Sequence, residues 1–230
     1  VTGHITFEET VALAEKWFSP IPRRHVPRRS LPMEPMQTEE RRLTVERNVP
    51  VDALYMAFHM CSRNHPDYYA FDMLSDLLSS GRSSRFVQHL VQDKQIFNSI
   101  DAYISGSIDN GLFHIVGKPA PEKTLEEAEK AIWEELALLT EGSIDENELE
   151  KVKNRYESEQ IFNNLNYLNV ATNLAYFELI GKAEDINTEV EKYRSVTQEQ
   201  IKRAAKQTFL PENCSVLYYK AAAKGASHTP

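Results

Sequence analysis

HPDYYAFDMLSDLLSSGRSSRFVQHLVQD, residues His65–Asp93, is the stretch from which the fold can be read. Ala70, Met73, Leu74, Leu77 and Leu78 recur at helical spacing, and Phe86, Val87, Leu90 and Val91 do so again after a break. Two amphipathic helices back to back need a common core. Pro66 suits a first helical turn, Gly81 a left-handed helix end, and the hydroxyl of Ser83 or Ser84 the cap of the second helix. The connection Ser79-Ser80-Gly81-Arg82-Ser83-Ser84-Arg85 then leaves backbone N–H groups at a helix start, flanked by two arginines. Such a connection is ordinarily a tight helix–helix link. The sharper reading is a site for an anion or a substrate carboxylate at a positive helix end. It is not a Walker loop, because no Gly-Lys-Ser/Thr follows.

Upstream, Leu54–Met60 alternates Leu54, Met56, Phe58 and Met60 with Tyr55, Ala57 and His59, a strand with one strongly apolar face. Arg41–Glu46, carrying Leu43 and Val45, predicts a half-exposed strand before it. Pro27, Pro32 and Pro35 with Arg23, Arg24, Arg28 and Arg29 forbid helix and favour an extended, semi-rigid linker over 23–38. Thr6-Phe7-Glu8-Glu9 has capping-box spacing, and Phe7, Val11, Ala14 and Phe18 share a face, so a helix runs over Phe7–Trp17.

Downstream, Ser99–Ser107 and Leu112–Gly117 both alternate, and Asp109-Asn110-Gly111 between them signals a tight antiparallel turn, since Asn-Gly tolerates positive φ. A helix follows on Leu125, Ala128, Ile132, Leu136 and Leu139. Ser143 and Glu146 have capping-box spacing ahead of a long helical stretch to Ile180, in which Asn163, Asn164, Asn166 and Asn169 place a kink or break. Gly181 stops it. A short helix on Ile186, Val190 and Tyr193, a helix capped by Thr197 and Gln200, and a last strand over Cys214–Tyr219 come next, with a frayed tail over 221–230. Strand, strand, helix, helix, hairpin, several helices, strand is the order of an α+β fold, a largely antiparallel sheet with helices packed on one face, over residues 39–220.

His65–Asp93, taken with the preceding strand and Pro-rich stretch, resembles the pitrilysin/insulinase/mitochondrial-processing-peptidase family of zinc peptidases. In that family a His-Pro-Asp-type helix start runs into a Leu-Leu-small-Gly-x-Ser-Ser-Arg turn and a second helix. The resemblance is to the C-terminal, non-catalytic half-unit of the fold. It implies that residues 1–22 are the closing piece of a preceding half and 23–38 the linker. It also implies a zinc-bearing catalytic half, on the same polypeptide or a separate subunit, that encloses an unstructured peptide with this half. Ser80, Gly81, Arg82, Ser83, Ser84 and Arg85 stand where the processing peptidase's non-catalytic subunit carries a glycine-rich substrate loop, so they are the candidate substrate contacts. The family's substrate-holding Arg–Tyr pair has no match, because no arginine occurs between Asn98 and Ala131. Two other readings are a structural subunit like the core proteins of the respiratory bc1 complex, and a stand-alone peptide-binding module.

Zinc hydrolysis needs two histidines on adjacent helical turns and a carboxylate base. None of His4, His25, His59, His65, His89, His114 or His228 lies in His-x-x-Glu-His or His-Glu-x-x-His, so neither catalytic residues nor a metal is expected in this chain, and zinc belongs to the partner half. His59, Cys61 and His65 offer too few donors for a site, and His89 with Asp93 reads as a surface ion pair. Cys61 and Cys214 are too few for a disulfide framework and read as small buried residues.

With 230 residues there is enough chain for a sizeable core, and no apolar run reaches membrane-spanning length. A net charge of −8 argues against nucleic acid as a partner, because phosphate contacts need a basic face. Val1 is not an initiator Met, which suggests a fragment or a processed product.

Overall fold

In the computed structural model, residues 1–25, 32, 34–106 and 108–222 are described. The strands are β1 (Arg41–Arg47), β2 (Ala53–Ser62), β3 (Phe97–Ser105), β4 (Asn110–Pro119) and β5 (Cys214–Ala221). The helices are α1 (Phe7–Phe18), α2 (Tyr68–Ser79), α3 (Leu125–Glu141), α4 (Glu146–Asn163), α5 (Tyr167–Ile180), α6 (Glu189–Arg194) and α7 (Gln198–Thr208), with a π-helix over Phe86–Asp93. Two compact units result: Val1–Met36 with Glu157–Glu189, and Gln37–Tyr156 with Val190–Pro230.

The larger unit is an α+β sandwich of one sheet and one helix layer. Strand order is β1-β5-β2-β4-β3, and only β1 with β5 is parallel. Period-two alternation in β2 sends Leu54, Met56, Phe58 and Met60 to one face, where all are buried, while Tyr55 on the other face stays 40% exposed. Phe113 and Ile115 of β4 and Cys214 and Val216 of β5 join the buried face. Over it lie Leu74, Leu77 and Leu78 of α2, Ile132 and Leu136 of α3, and Ile201 and Ala205 of α7. Phe58 meets Trp133 and Phe209 edge-on at 5.7 and 5.1 Å.

The helix limits obey their caps. Thr6–Glu9, Thr124–Glu127 and Thr197–Gln200 form reciprocal capping boxes, and Gly181 ends α5. The Asn-rich stretch breaks the long helix at 164–166, and Asn166 caps α5 through its side chain.

Several expectations are corrected. Phe86–Asp93 is a π-helix: the Lys94 N–H reaches the His89 carbonyl at 3.0 Å. Its start has no side-chain cap; the Ser84 hydroxyl instead donates back to the Gly81 carbonyl at 2.7 Å. Pro66 precedes α2 rather than opening it, and Ser143 does not cap α4, whose Asp145 accepts the Asn147 N–H at 2.7 Å. The β3–β4 hairpin forms, but Asn110 and Gly111 belong to β4 itself. Glycine at 111 answers a close approach, since a Cβ there would stand 2.5 Å from the Ser105 carbonyl oxygen. Cys61 is only half-buried. Of the expected linker, residues 26–31 and 33 lie outside the described residues, as do residues 223–230 of the expected tail and Ser107 of the expected strand.

The smaller unit holds α1, the C-terminal part of α4, and α5. Among its described residues Phe177 is the one buried hydrophobic, while Phe7, Trp17, Phe18, Phe162, Leu165 and Leu168 are exposed. The apolar stripe predicted for α1 therefore exists but buries nothing described here.

One buried carboxylate joins edge strand to helix layer. Glu129 of α3 accepts from Arg42 of β1, from the Tyr218 hydroxyl at 2.6 Å and from Trp133 Nε1 at 3.3 Å. Burial pushes its carboxyl up, but the Arg42, Tyr218 and Trp133 hydrogen bonds outweigh burial and hold its pKa below the ordinary value. That contribution is whole above the unfolded carboxylate pKa of about 4.3 and is lost as pH falls through the lower folded value. Glu129→Gln should therefore destabilise the chain by about 1–2 kcal/mol at neutral pH. Denaturant titrations should show the gap between variant and parent closing as pH is lowered toward about 3.

Candidate functional site

The turn between α2 and the π-helix is built from residue chemistry that leaves it little freedom. Gly81 takes φ +85°, a conformation glycine adopts without strain, and the Ser84 N–H closes the turn on the Gly81 carbonyl at 3.2 Å. Ser80 sends its N–H to the Asp76 carbonyl at 2.9 Å, ending α2. The Ser79 hydroxyl donates to the Ala102 carbonyl of β3 at 2.9 Å, tying the turn to the sheet.

Helix α4 grips the other side. Arg85 forms a fork with both carboxylate oxygens of Glu148 at 2.9 Å and also donates to the Ser143 carbonyl at 3.2 Å. Lys151 donates to the Ser83 carbonyl and hydroxyl at 3.0 and 2.9 Å. Of the six candidate contacts, Ser84 and Arg85 are thus consumed by the fold, and Ser83 is held by Lys151. Arg85 is not the free cation its sequence position suggests. Arg82 is exposed and its guanidinium has no partner among the described residues.

His89 turns away from Asp93 and pairs with Glu135 of α3, Nδ1 to Oε1 at 2.8 Å. Glu135 is buried, and its Oε2 has no hydrogen-bond partner among the described residues. The expected His89–Asp93 ion pair is replaced because α3 packs beside the π-helix.

Sequence reasoning did not single out the uncovered sheet face. A shallow depression of about 340 Å³ there has Leu43, Tyr55, Ala57, His114, Val116 and Leu217 among its lining residues, together with Arg41. Tyr103 stacks on His114 with ring centroids 4.9 Å apart, and Ser105 Oγ lies 2.9 Å from His114 Nε2. Burial lowers the His114 pKa below the ordinary imidazole value, which favours the neutral ring. Its Nδ1 has no partner among the described residues, and the ring is held by Tyr103 and by Ser105 at Nε2. The signal was present in the alternation of β2 and β4, but which alternate row stays open depends on where the helices pack.

The described residues do not fit a resident metal. They contain no group of three or more His, Cys, Asp or Glu side chains able to hold one. His65 Nδ1 accepts the Asp67 N–H at 3.1 Å, and burial pushes the Cys61 thiol up to about 11, so it is not a thiolate at neutral pH.

The sequence model described as the peptidase M16 inactive domain matches residues 1–156. The chain belongs to that family. As an M16 inactive domain it is 24% identical over 211 residues to the "Uncharacterized zinc protease YmxG" of Bacillus subtilis (strain 168), covering 91% of this chain and 50% of that protein. It is 22% identical over 225 residues to the "Zinc protease PqqE" of Helicobacter pylori (strain ATCC 700392 / 26695), covering 96% and 50%. The M16 domain thus spans about half the length of the curated relatives it matches. Its fold is shared with a Helicobacter pylori protease structure at TM-score 0.85 and 22% identity, over 95% of this chain and 54% of that one. A chain of Complex III2 from Candida albicans matches at TM-score 0.65 and 19% identity, over 78% and 45%.

The turn yields a clear division of labour. Arg85→Ala should cost about 2–4 kcal/mol in chemical denaturation, because it strands the Glu148 carboxylate and the Ser143 carbonyl. Arg82→Ala should stay within about 0.5 kcal/mol of the parent.

Proposed function

We propose that this M16 inactive domain is the non-catalytic wall of a zinc peptidase, facing a zinc-bearing catalytic half and closing a peptide-binding chamber with it. What supports the reading is an uncovered sheet face, apolar at Leu43, Tyr55, Val116 and Leu217, in a domain of this family whose described residues hold no metal-ligand set. A single-layer sheet in water leaves apolar surface that a partner or a peptide can use. Residues 1–22 serve as the closing piece of the preceding half, which gives the exposed stripe of α1 something to bury against. The turn Ser80–Arg85 contributes wall residues, with Arg82 the one cation of that turn free to meet a peptide carboxylate or carbonyl. Zinc, and the base that activates its water, are supplied by the partner.

The second reading is a structural subunit without peptidase work, and the likeness to a chain of Complex III2 favours it. A His-x-x-Glu-His motif upstream in the same reading frame, or in the adjacent one, separates the two.

The test is reconstitution. The purified chain should bind no stoichiometric zinc by atomic absorption and cleave no unstructured peptide, while adding the zinc-bearing half should produce chelator-sensitive cleavage. Cleavage by the chain alone would overturn the proposal. In the reconstituted enzyme Arg82→Ala should lower turnover by about three- to tenfold with the melting temperature unchanged, the equivalent of about 1 kcal/mol of transition-state contact. Unchanged turnover would confine the turn to structure.

A further inference from the structure

The two edges of the sheet are treated differently by the fold. A strand edge presents unpaired N–H and C=O groups that invite another strand, and proteins usually block it. At β3 the block is present: the Ala102 carbonyl is taken by the Ser79 hydroxyl, and α2 and the π-helix pack along the strand. β1 is the end strand of the sheet, and every residue of it except the half-buried Val45 is exposed.

Which groups of β1 face outward follows from its parallel pairing with β5. Arg47 is opposite Ala221, and the Arg47 carbonyl accepts the Ala222 N–H at 2.8 Å. Arg47 and the residues in step with it, Val45, Leu43 and Arg41, therefore spend their backbone groups on β5. Arg42, Thr44 and Glu46 present theirs outward.

The sequence of this edge, Arg41-Arg42-Leu43-Thr44-Val45-Glu46-Arg47, is self-complementary about Thr44. Laid antiparallel on a second copy with Thr44 opposite Thr44, it sets Glu46 twice by symmetry against Arg42, whose guanidinium keeps one N–H beyond the four it gives to Glu40 and Glu129, pairs Leu43 with Val45 twice, and Thr44 with itself. Only the terminal Arg41 and Arg47 meet as like charges, at the solvated ends. The backbone permits this register, because the central Thr44 and the two Arg42–Glu46 pairs are the residues whose N–H and C=O groups point outward. Glu46 has no ion-pair partner among the described residues, and Leu43 is 61% exposed. Opposite charges and apolar pairs directly across two strands are favourable.

We infer that β1 is a self-association edge: two copies of this chain pair antiparallel through Arg41–Arg47 with Thr44 on the two-fold axis, making one continuous sheet. The contact is isologous, so it closes on a dimer and does not propagate.

Sedimentation equilibrium of the full chain tests this. A concentration-dependent dimer is expected, with hydrogen-exchange protection of the Thr44 and Glu46 amides rising as the dimer forms. Thr44→Pro removes an N–H that β5 does not use and that an edge strand can lose, so it should raise the dimer Kd by at least about tenfold with the circular dichroism spectrum retained. Glu46→Lys, which sets a second cation against Arg42 of the other copy, should raise it by about threefold or more. If Thr44→Pro unfolds the chain, Glu46→Lys and the exchange data decide. A monomer at every concentration overturns the inference. So does a dimer indifferent to both substitutions, which places the contact elsewhere, such as the exposed apolar helices of the smaller unit. Protection of β1 amides appearing only when an unstructured peptide is added assigns the edge to peptide instead and equally overturns it.

Discussion

Everything in the larger unit depends on one sheet burying one face. Leu54, Met56, Phe58 and Met60 leave water together because β2 is central and its side chains alternate with period two. Burying each such side chain is worth about 1.5–3 kcal/mol, and the helices that provide the cover, α2, α3 and α7, are held in place by the same contacts. Among the described residues of the larger unit, no helix covers the other face. Its exposure is the counterpart of that packing, and both the shallow depression and the Tyr103–His114 stack lie on it.

The polar contacts then lock elements that the core alone leaves free to slide. Glu129 fixes β1 to α3, Arg85 and Glu148 fix the π-helix start to α4, and Tyr193, whose hydroxyl bonds Asp72, fixes α6 to α2 while stacking on Tyr156. Such groups are costly to bury unless paired, which is why each has several partners. The lock at Arg85 carries a functional consequence: a motif rich in serine and arginine becomes mostly scaffold, with Arg82 left as the exposed cation. Glu135 is the exception, a buried carboxylate beside the π-helix with one oxygen that has no partner among the described residues.

Much of this was legible residue by residue. The capping boxes at Thr6, Thr124 and Thr197, the stop at Gly181, the Asn-rich break and the alternating strands are local signals, and local backbone chemistry decides them. The misreadings share a cause. Ser143 and Glu146 have capping-box spacing but do not use it, because the Ser143 carbonyl is engaged by Arg85 and Asp145 takes the cap. Asn110–Gly111 looks like a two-residue turn but is drawn into β4 by pairing with Met60 and Ser62. His89 prefers Glu135 across the interface to Asp93 along its own helix.

By itself the sequence determined the α+β order of elements, the apolar rows that form the core, and the absence of His-x-x-Glu-His, since these rest on periodicity and residue identity alone. Only the tertiary structure decided that β1 runs parallel to β5 at the end of the sheet, that Arg85 is committed to Glu148, and which row of each strand the helices of the larger unit bury. Those outcomes depend on which distant segments meet, and partners separated by tens of residues in the chain leave no periodic trace along it.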